Sequence, residues 1–233
     1  LEYCPENIIN QSESRYHRIE VLPPKVEKAF VEIFLNSYSE PPQNIIIDMD
    51  VTDDEVHGNQ EGAFFNKYYD SVCYAPLYIF CGRHLLAAKL RSSNVDPADG
   101  ALEELERIIP QIREKWPNTQ ILIRADSAYA REEIFAFCES QENVDYMIAM
   151  ATNNQLKMRA SDVVKKAQKD YEEKVEVASD FLDDLGFKKE DLETVAEIRE
   201  LVPDSKWYRS LCYKTETSWS RSRRVVKSSR VWK

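Results

Sequence analysis

The chain has 233 residues, 43% of them hydrophobic and 31% charged, with a formal net charge of −10. That is apolar content enough for one large domain, or one and a half small ones, and an acidic balance that argues against a constitutive nucleic-acid coat. No apolar run approaches the ~18 residues of a membrane span, the five glycines form neither a G-x-G-x-x-G nor a Walker loop, and the five scattered cysteines and three histidines lack any metal-type spacing.

Residues 1–42 read as a helical lead-in. Within it, Lys25 to Tyr38 places Val26, Phe30, Ile33 and Phe34 on one helical face, and Pro41-Pro42 ends the helix. Ile45 to Val51 is a short buried strand by composition. Tyr68 to Cys81 and His84 to Leu90 are two β-rich runs that meet at Cys81-Gly82-Arg83, a hairpin signal. Asp96-Pro97 reads as an N-cap followed by a first-turn proline. Leu102, Leu105, Ile109, Ile112 and Trp116 then follow at helical spacing, with a kink expected at Pro110. Gln120 to Arg124 is a buried strand, and Ser127 is placed to cap a helix whose apolar side is Ile134, Phe135 and Cys138. Val144 to Met150 is a fifth strand, Asn153 to about Arg199 is helical and highly charged, and Tyr208 to Trp232 returns to β-like text.

The charge is uneven along this order. From Lys206 onward there are nine Lys/Arg against one acid, Glu216, a net of +8, so the first 205 residues carry −18. A basic tail with Trp, Tyr and Ser suits phosphate contact, and equally a solvated strand pair. The first residue is a leucine and the text stops abruptly at Arg230-Val231-Trp232-Lys233, so we expect a piece of something longer. Free thiols in a reducing cytoplasm are the expectation for the cysteines.

Three β-rich strands followed by helix, strand, helix, strand give an α/β fold with a mixed five-stranded sheet, antiparallel on one side. This is the order of an RNase H-like core, expected over residues 43–152, with a charged helical segment over 153–205 and a basic β-like segment over 206–233. In such a sheet the first and fourth strands lie side by side and parallel, and their carboxyl ends form the natural site. Both ends carry acids: Asp48 and Asp50 on the first, Asp126 after the fourth. Two carboxylates there suit a hard divalent cation whose remaining positions go to water and phosphate. The competing reading makes Asp126 a cap favoured by a helix dipole and Asp48 to Glu55 a polar turn.

Three runs go further: IIIDMDVTDDEVHGNQEGAFFNKYYDSVCYAPLYIFCGRHLLAAKLRSSNVD, ILIRADSAYAREEIFAFCE and VDYMIAMATNNQL. Together with Tyr213-Lys214-Thr215 and Ser218 to Val226, they resemble bacterial insertion-sequence transposases of the DDE group, over roughly residues 15–226. The resemblance implies an enzyme with an RNase H-like catalytic domain that cuts and joins DNA at transposon ends through an Asp-Asp-Glu triad and Mg²⁺ or Mn²⁺. It places the first acid on Asp50, in Asp-x-Thr with Thr52, and the second on Asp126. Asp48 shares the face of Asp50 and stands as an alternative ligand or support. Ala128 replaces the family's usual Gly after Asp-Ser. The family's Glu belongs to a Tyr-x-x-Arg-x-x-x-Glu segment expected beyond Lys233, and Glu216 lacks its spacing.

The resemblance further implies DNA as partner, both transposon end and target, no membrane, dimerisation on DNA, and a cytoplasmic location at the nucleoid. Candidate DNA contacts are Arg91, Arg124, Arg131, Arg221, Arg223 and Arg224. Arg124 and Arg131 flank the second acid and are alternatively expected to pair with Glu132 or Glu133. Two rivals remain at this point. One is a decayed, non-catalytic transposase remnant with weak DNA binding. The other is a haloacid-dehalogenase-like phosphatase, with Asp48 as nucleophile and Asp50 as acid/base.

Overall fold

Three isoleucines in a row place a strand at the centre of the fold. β-Branched residues favour the pleated backbone, and the alternation along β3 (Asn44–Val51) buries Ile45, Ile47 and Met49 while Ile46, Asp48 and Asp50 face the other way. The structure, a computed structural model, describes residues 2–3, 20–186 and 202–231. Two compact units are present, Leu1–Met150 and Ala151–Lys233.

In the first unit, a short antiparallel pair, β1 (Glu2–Tyr3) with β2 (Glu20–Val21), precedes helix α1 (Pro23–Asn36). A small three-stranded sheet follows β3: β4 (Asp54–Glu55), β5 (Phe64–Asn66) and β6 (Ser71–Tyr74), in the order β4-β6-β5. The chain then turns at Ala75-Pro76 into β7 (Leu77–Cys81) and β8 (His84–Lys89). Gly82, at φ +59°, supplies the positive φ that their two-residue hairpin requires. Helix α2 (Ala101–Lys115), β9 (Gln120–Ala125), helix α3 (Glu132–Ser140) and β10 (Val144–Ile148) complete the unit.

The large sheet has the order β10-β9-β3-β7-β8, with β7 and β8 antiparallel and β9 and β10 parallel to their neighbours. This is the expected mixed sheet: a three-strand meander followed by α/β units, with the first and fourth strands side by side. One core cluster joins Phe34 of α1, Ile108, Ile109 and Ile112 of α2, Ile134 and Cys138 of α3, and the inward residues of the sheet. Trp116, at the end of α2, packs edge-on to Phe34 at 5.2 Å and to Tyr38 at 5.3 Å. The opposite sheet face carries Ile46, Tyr78, Phe80, Leu122 and Met147, and Met147 is 63% exposed.

Several expectations need correction. The buried face of α1 is Val31, Phe34 and Leu35, and Ile33 is exposed. The run from Tyr68 to Cys81 is two strands in two sheets, because Pro76 cannot donate to a ladder and the chain bends there. Asp54 and Glu55 pair with Tyr74 and Cys73 rather than forming a turn. Asp96 accepts from Ala98 N in a local turn, while α2 starts five residues later, at Ala101, behind left-handed Gly100. Ser127 opens a 3₁₀ turn, Ser127–Tyr129, and α3 begins only at Glu132.

Buried thiols are raised by the loss of water: Cys81 to about 11 and Cys138 to about 12. Cys73, Cys81, Cys138 and Cys212 are free; Cys4 lies outside the described residues.

In the second unit, α4 (Asn154–Arg159) is capped by Asn153 Oδ1, which accepts from Leu156 N at 2.9 Å. The long helix α5 (Ser161–Asp184) follows, and then an antiparallel ribbon, β11 (Ser205–Tyr213) with β12 (Arg223–Val231). The expected helix toward Arg199 is present through Asp184, and residues 187–201 lie outside the described residues. Arg209 of β11 meets Asp162 of α5 at 2.5 Å, and this bond holds the Asp162 carboxyl below the usual carboxylate range. A carboxylate lowered in the folded state adds stability above its unfolded value, near 3.9, and loses it as pH falls through the folded value. The difference in Tm between wild type and Asp162→Asn, present at about pH 6, is therefore expected to vanish on acidification below about pH 4. Thermal melts across that range check it, and a difference unchanged at low pH would remove the pair from the acid response.

Candidate active site

The parallel register of β3 and β9 pairs Asp48 with Arg124 and Met49 with Ala125. Asp50 and Asp126 are each the next residue beyond the last of these pairs, at the same end of two adjacent parallel strands. Both acids are exposed. Asp50 Oδ1 accepts from Val51 N at 2.9 Å, and Asp126 Oδ1 accepts from Ala128 N at 2.8 Å. Asp126 is thus a cap, as the competing reading had it, but of the 3₁₀ turn, and a carboxylate has a second oxygen to offer.

The two acids are felt by a common neighbour. Tyr129, on the turn after Asp126, is fully buried. Burial pushes its phenol well above the ordinary value; Arg91 pulls it back, and the charges of Asp126 and Asp50 both push it further. Tyr69 is raised for similar reasons, by burial first and then by Asp53, Tyr68 and Asp50. Asp50, Asp126, Tyr69, Tyr129 and Arg91 therefore form one electrostatic neighbourhood. Sequence reasoning missed Tyr69 and Tyr129 as members, since two tyrosines in β-rich or turn text carry no signal of what they face.

Arg91 belongs to the scaffold of this neighbourhood. Its Nε donates to Ala75 O at 3.0 Å, and its Nη1 donates to Pro97 O at 3.1 Å and to Asp99 O at 2.5 Å. Those bonds tie the Ala75-Pro76 corner to the entry of α2. Its Nη2 and the Tyr129 hydroxyl are buried with no hydrogen-bond partner among the described residues. An unpaired buried hydroxyl costs about 1–3 kcal/mol, so Tyr129→Phe is expected to leave stability unchanged or raise it by about 1 kcal/mol. A loss of more than about 1 kcal/mol in urea titration would mean the hydroxyl is paired in solution.

The other predicted arginines are distributed as follows. Arg124 donates from Nε to Asp48 Oδ1 at 2.5 Å and from Nη2 to Asp48 Oδ2 at 2.9 Å, a two-pronged pair that raises the Arg124 guanidinium. Arg131 meets Asp96 through Nη2 at 2.7 and 3.0 Å. Asp96 is a partner that sequence proximity did not point to. Arg223 is 6% exposed, with its guanidinium 5.5 Å from the centre of the Trp219 ring, and has no open face for a phosphate. Arg221 and Arg224 are exposed, and Arg224 Nε donates to Ser210 Oγ at 3.0 Å. Asp48, held at both oxygens, is poorly placed as a covalent nucleophile, and the small sheet after Thr52 is not the crossover the phosphatase reading needs.

The donor set fits a hard divalent cation in kind: two exposed carboxylates lie at the same end of adjacent strands, leaving positions for water and phosphate. Among the described residues, no group of three His, Cys, Asp or Glu side chains converges to hold a metal. No helix among them is long and apolar enough to cross a membrane.

Comparison with solved structures finds distant similarity to three complexes of the Mos1 transposase. These are the mariner paired-end complex with Mn, at 12% identity and TM-score 0.30 over 58% of this chain and 46% of that one; the paired-end complex with the left transposon end, at 13% and 0.30 over 83% and 63%; and the strand transfer complex, at 14% and 0.29 over 82% and 62%. The chain thus spans between about half and under two-thirds of their length. No curated protein matches. The profile of transposase DDE domain group 1 matches residues 6–231, nearly the whole chain and both strand-end acids, and the chain accordingly belongs to that transposase family.

Proposed function

We propose that this chain is the catalytic core of a DNA transposase, in which Asp50 and Asp126 hold the divalent ion, Mg²⁺ or Mn²⁺. The observation that supports the reading is the register of β3 and β9, which sets Asp50 and Asp126 one residue past the last paired positions of adjacent strands, in a chain of this family. When bound, such an ion polarises the scissile phosphate and makes water a competent nucleophile near neutral pH. The two carboxylates supply hard oxygen donors from rigid strand ends, which fixes their separation better than loops would. The backbone bond from Ala128 to Asp126 orients that carboxylate, and Arg91 braces the surrounding corner.

The reaction is cleavage of the phosphodiester at a transposon end, after which the freed 3′-hydroxyl attacks target DNA. Asp48 supports the site through its pairing with Arg124. The partners are the transposon end and target duplex, with two copies acting together, in the cytoplasm of the host cell where the DNA lies. The test is metal-dependent nicking of transposon-end DNA by the full-length protein. Cleavage that needs Mg²⁺ or Mn²⁺ supports the reading. Absence of cleavage under either ion leaves the decayed remnant instead.

A further inference from the structure

The β11–β12 ribbon has two faces of different character. One is taken up by α5: Arg209 pairs with Asp162, Lys166 Nζ lies 5.9 Å from the centre of the Trp207 ring, and Lys174 Nζ donates to Ser205 Oγ at 3.0 Å. Strand alternation puts Lys206, Tyr208, Ser210 and Cys212 on the other face. The antiparallel register sets Arg230, Ser228, Val226 and Arg224 directly beside them. All eight are exposed.

This outward face holds three cations and no acid, although Arg230 also bonds Asp204. The helix behind the ribbon is the reverse: α5 carries eight acids and four lysines. The unit is therefore polarised, negative behind and positive in front. Lys206 and Arg224 stand six rungs apart, about 20 Å at about 3.3 Å per residue. Between them lie the hydroxyls of Tyr208, Ser210 and Ser228. A major groove admits a two-stranded ribbon, and cations at both ends with hydroxyls between match phosphates flanking base edges.

We propose that the outward face of the β11–β12 ribbon binds duplex DNA, seated in a major groove with Lys206 and Arg224 on phosphates. The choice of duplex DNA rests on the transposase reading; the surface itself rests on the two-faced ribbon.

The test uses the full-length protein, a mixed-sequence 30-base-pair DNA duplex and one of its single strands, with binding followed by anisotropy between 50 and 200 mM KCl. Each of Lys206→Ala and Arg224→Ala is expected to flatten the slope of log K against log salt by about 0.9, which is about fivefold weaker binding at 0.15 M. Lys169→Ala, on α5, is the control and should change neither. Circular dichroism melts confirm that the variants fold. Slopes unchanged in both ribbon variants, or single strand bound as tightly as duplex, overturn the proposal. Metal-dependent cleavage assayed on the same preparations separates the two readings. Cleavage retained with unchanged duplex affinity removes the ribbon site alone, whereas duplex binding lost on substitution in a protein that never cleaves removes the transposase reading alone.

Discussion

Asp50→Asn or Asp126→Asn in the full-length protein is expected to lower metal-dependent cleavage of transposon-end DNA by about a thousandfold or more. A metal site contributes several kcal/mol of transition-state stabilisation, and each ~1.4 kcal/mol is tenfold in rate. Asparagine is the informative substitution because it keeps the side-chain oxygen that accepts from Val51 N or Ala128 N, while removing the charge a cation needs. Both acids are exposed, so Tm should stay within about 1 °C of wild type. A variant that folds and still cleaves within about tenfold of wild type would displace that residue from the site. Asp48→Asn separates its roles: it keeps the shape beside Arg124 but breaks the charge pair, and as a support residue it should cost far less than either loss.

Glu104→Gln is expected to destabilise the first unit by about 2–3 kcal/mol, lowering Tm by about 5–10 °C. Glu104 is 2% exposed on α2 and sits between two cations: Lys89 of β8 at 2.7 Å, and Arg107, whose Nη2 lies at 2.6 Å. Arg107 in turn donates to Glu27 O of α1 and to Leu86 O of β8. Breaking a buried pair costs about 3–5 kcal/mol when the orphaned charge stays buried. Here Lys89 and Arg107 are 36% and 22% exposed, so water offsets part of the loss. Urea denaturation measures it, and a change under about 0.5 kcal/mol would mean that solvent replaces the carboxylate without penalty. The network lies at the β8 side of the sheet, so cleavage by the folded fraction should be unchanged.

The chain also shows where local text misleads. Glu104 reads as a solvated first-turn acid, favourable to the helix dipole, and nothing near it in sequence announces burial. Its partners come from a hairpin 15 residues earlier and from the next helical turn, and only the packing of α2 on β8 brings them together. Arg131 was expected to find Glu132 or Glu133, but the acid it meets is Asp96, 35 positions back. The same limit applies to Asp96 itself, where an Asp-Pro pair mimics a cap but Gly100 starts the helix.

What the sequence by itself determined is the local periodicity and its consequences. Alternating apolar residues made β3 a strand and put Asp48 and Asp50 on one face, and the apolar run of β9 ended just before Asp126. These follow from neighbours within a few residues, where the two-residue period of a strand leaves little freedom. What only the tertiary structure decided is which of those carboxylates have partners. The parallel register of β3 and β9 put Arg124 beside Asp48, with Asp50 and Asp126 just past the paired positions. It also put a buried Tyr129 within reach of both acids' charges, and gave the basic tail two faces, one spent on α5 and one turned outward. The physical reason is the same in each case: pairing between strands and burial against a helix are long-range contacts, and a residue's charge partner is set by the fold that delivers it rather than by the text around it.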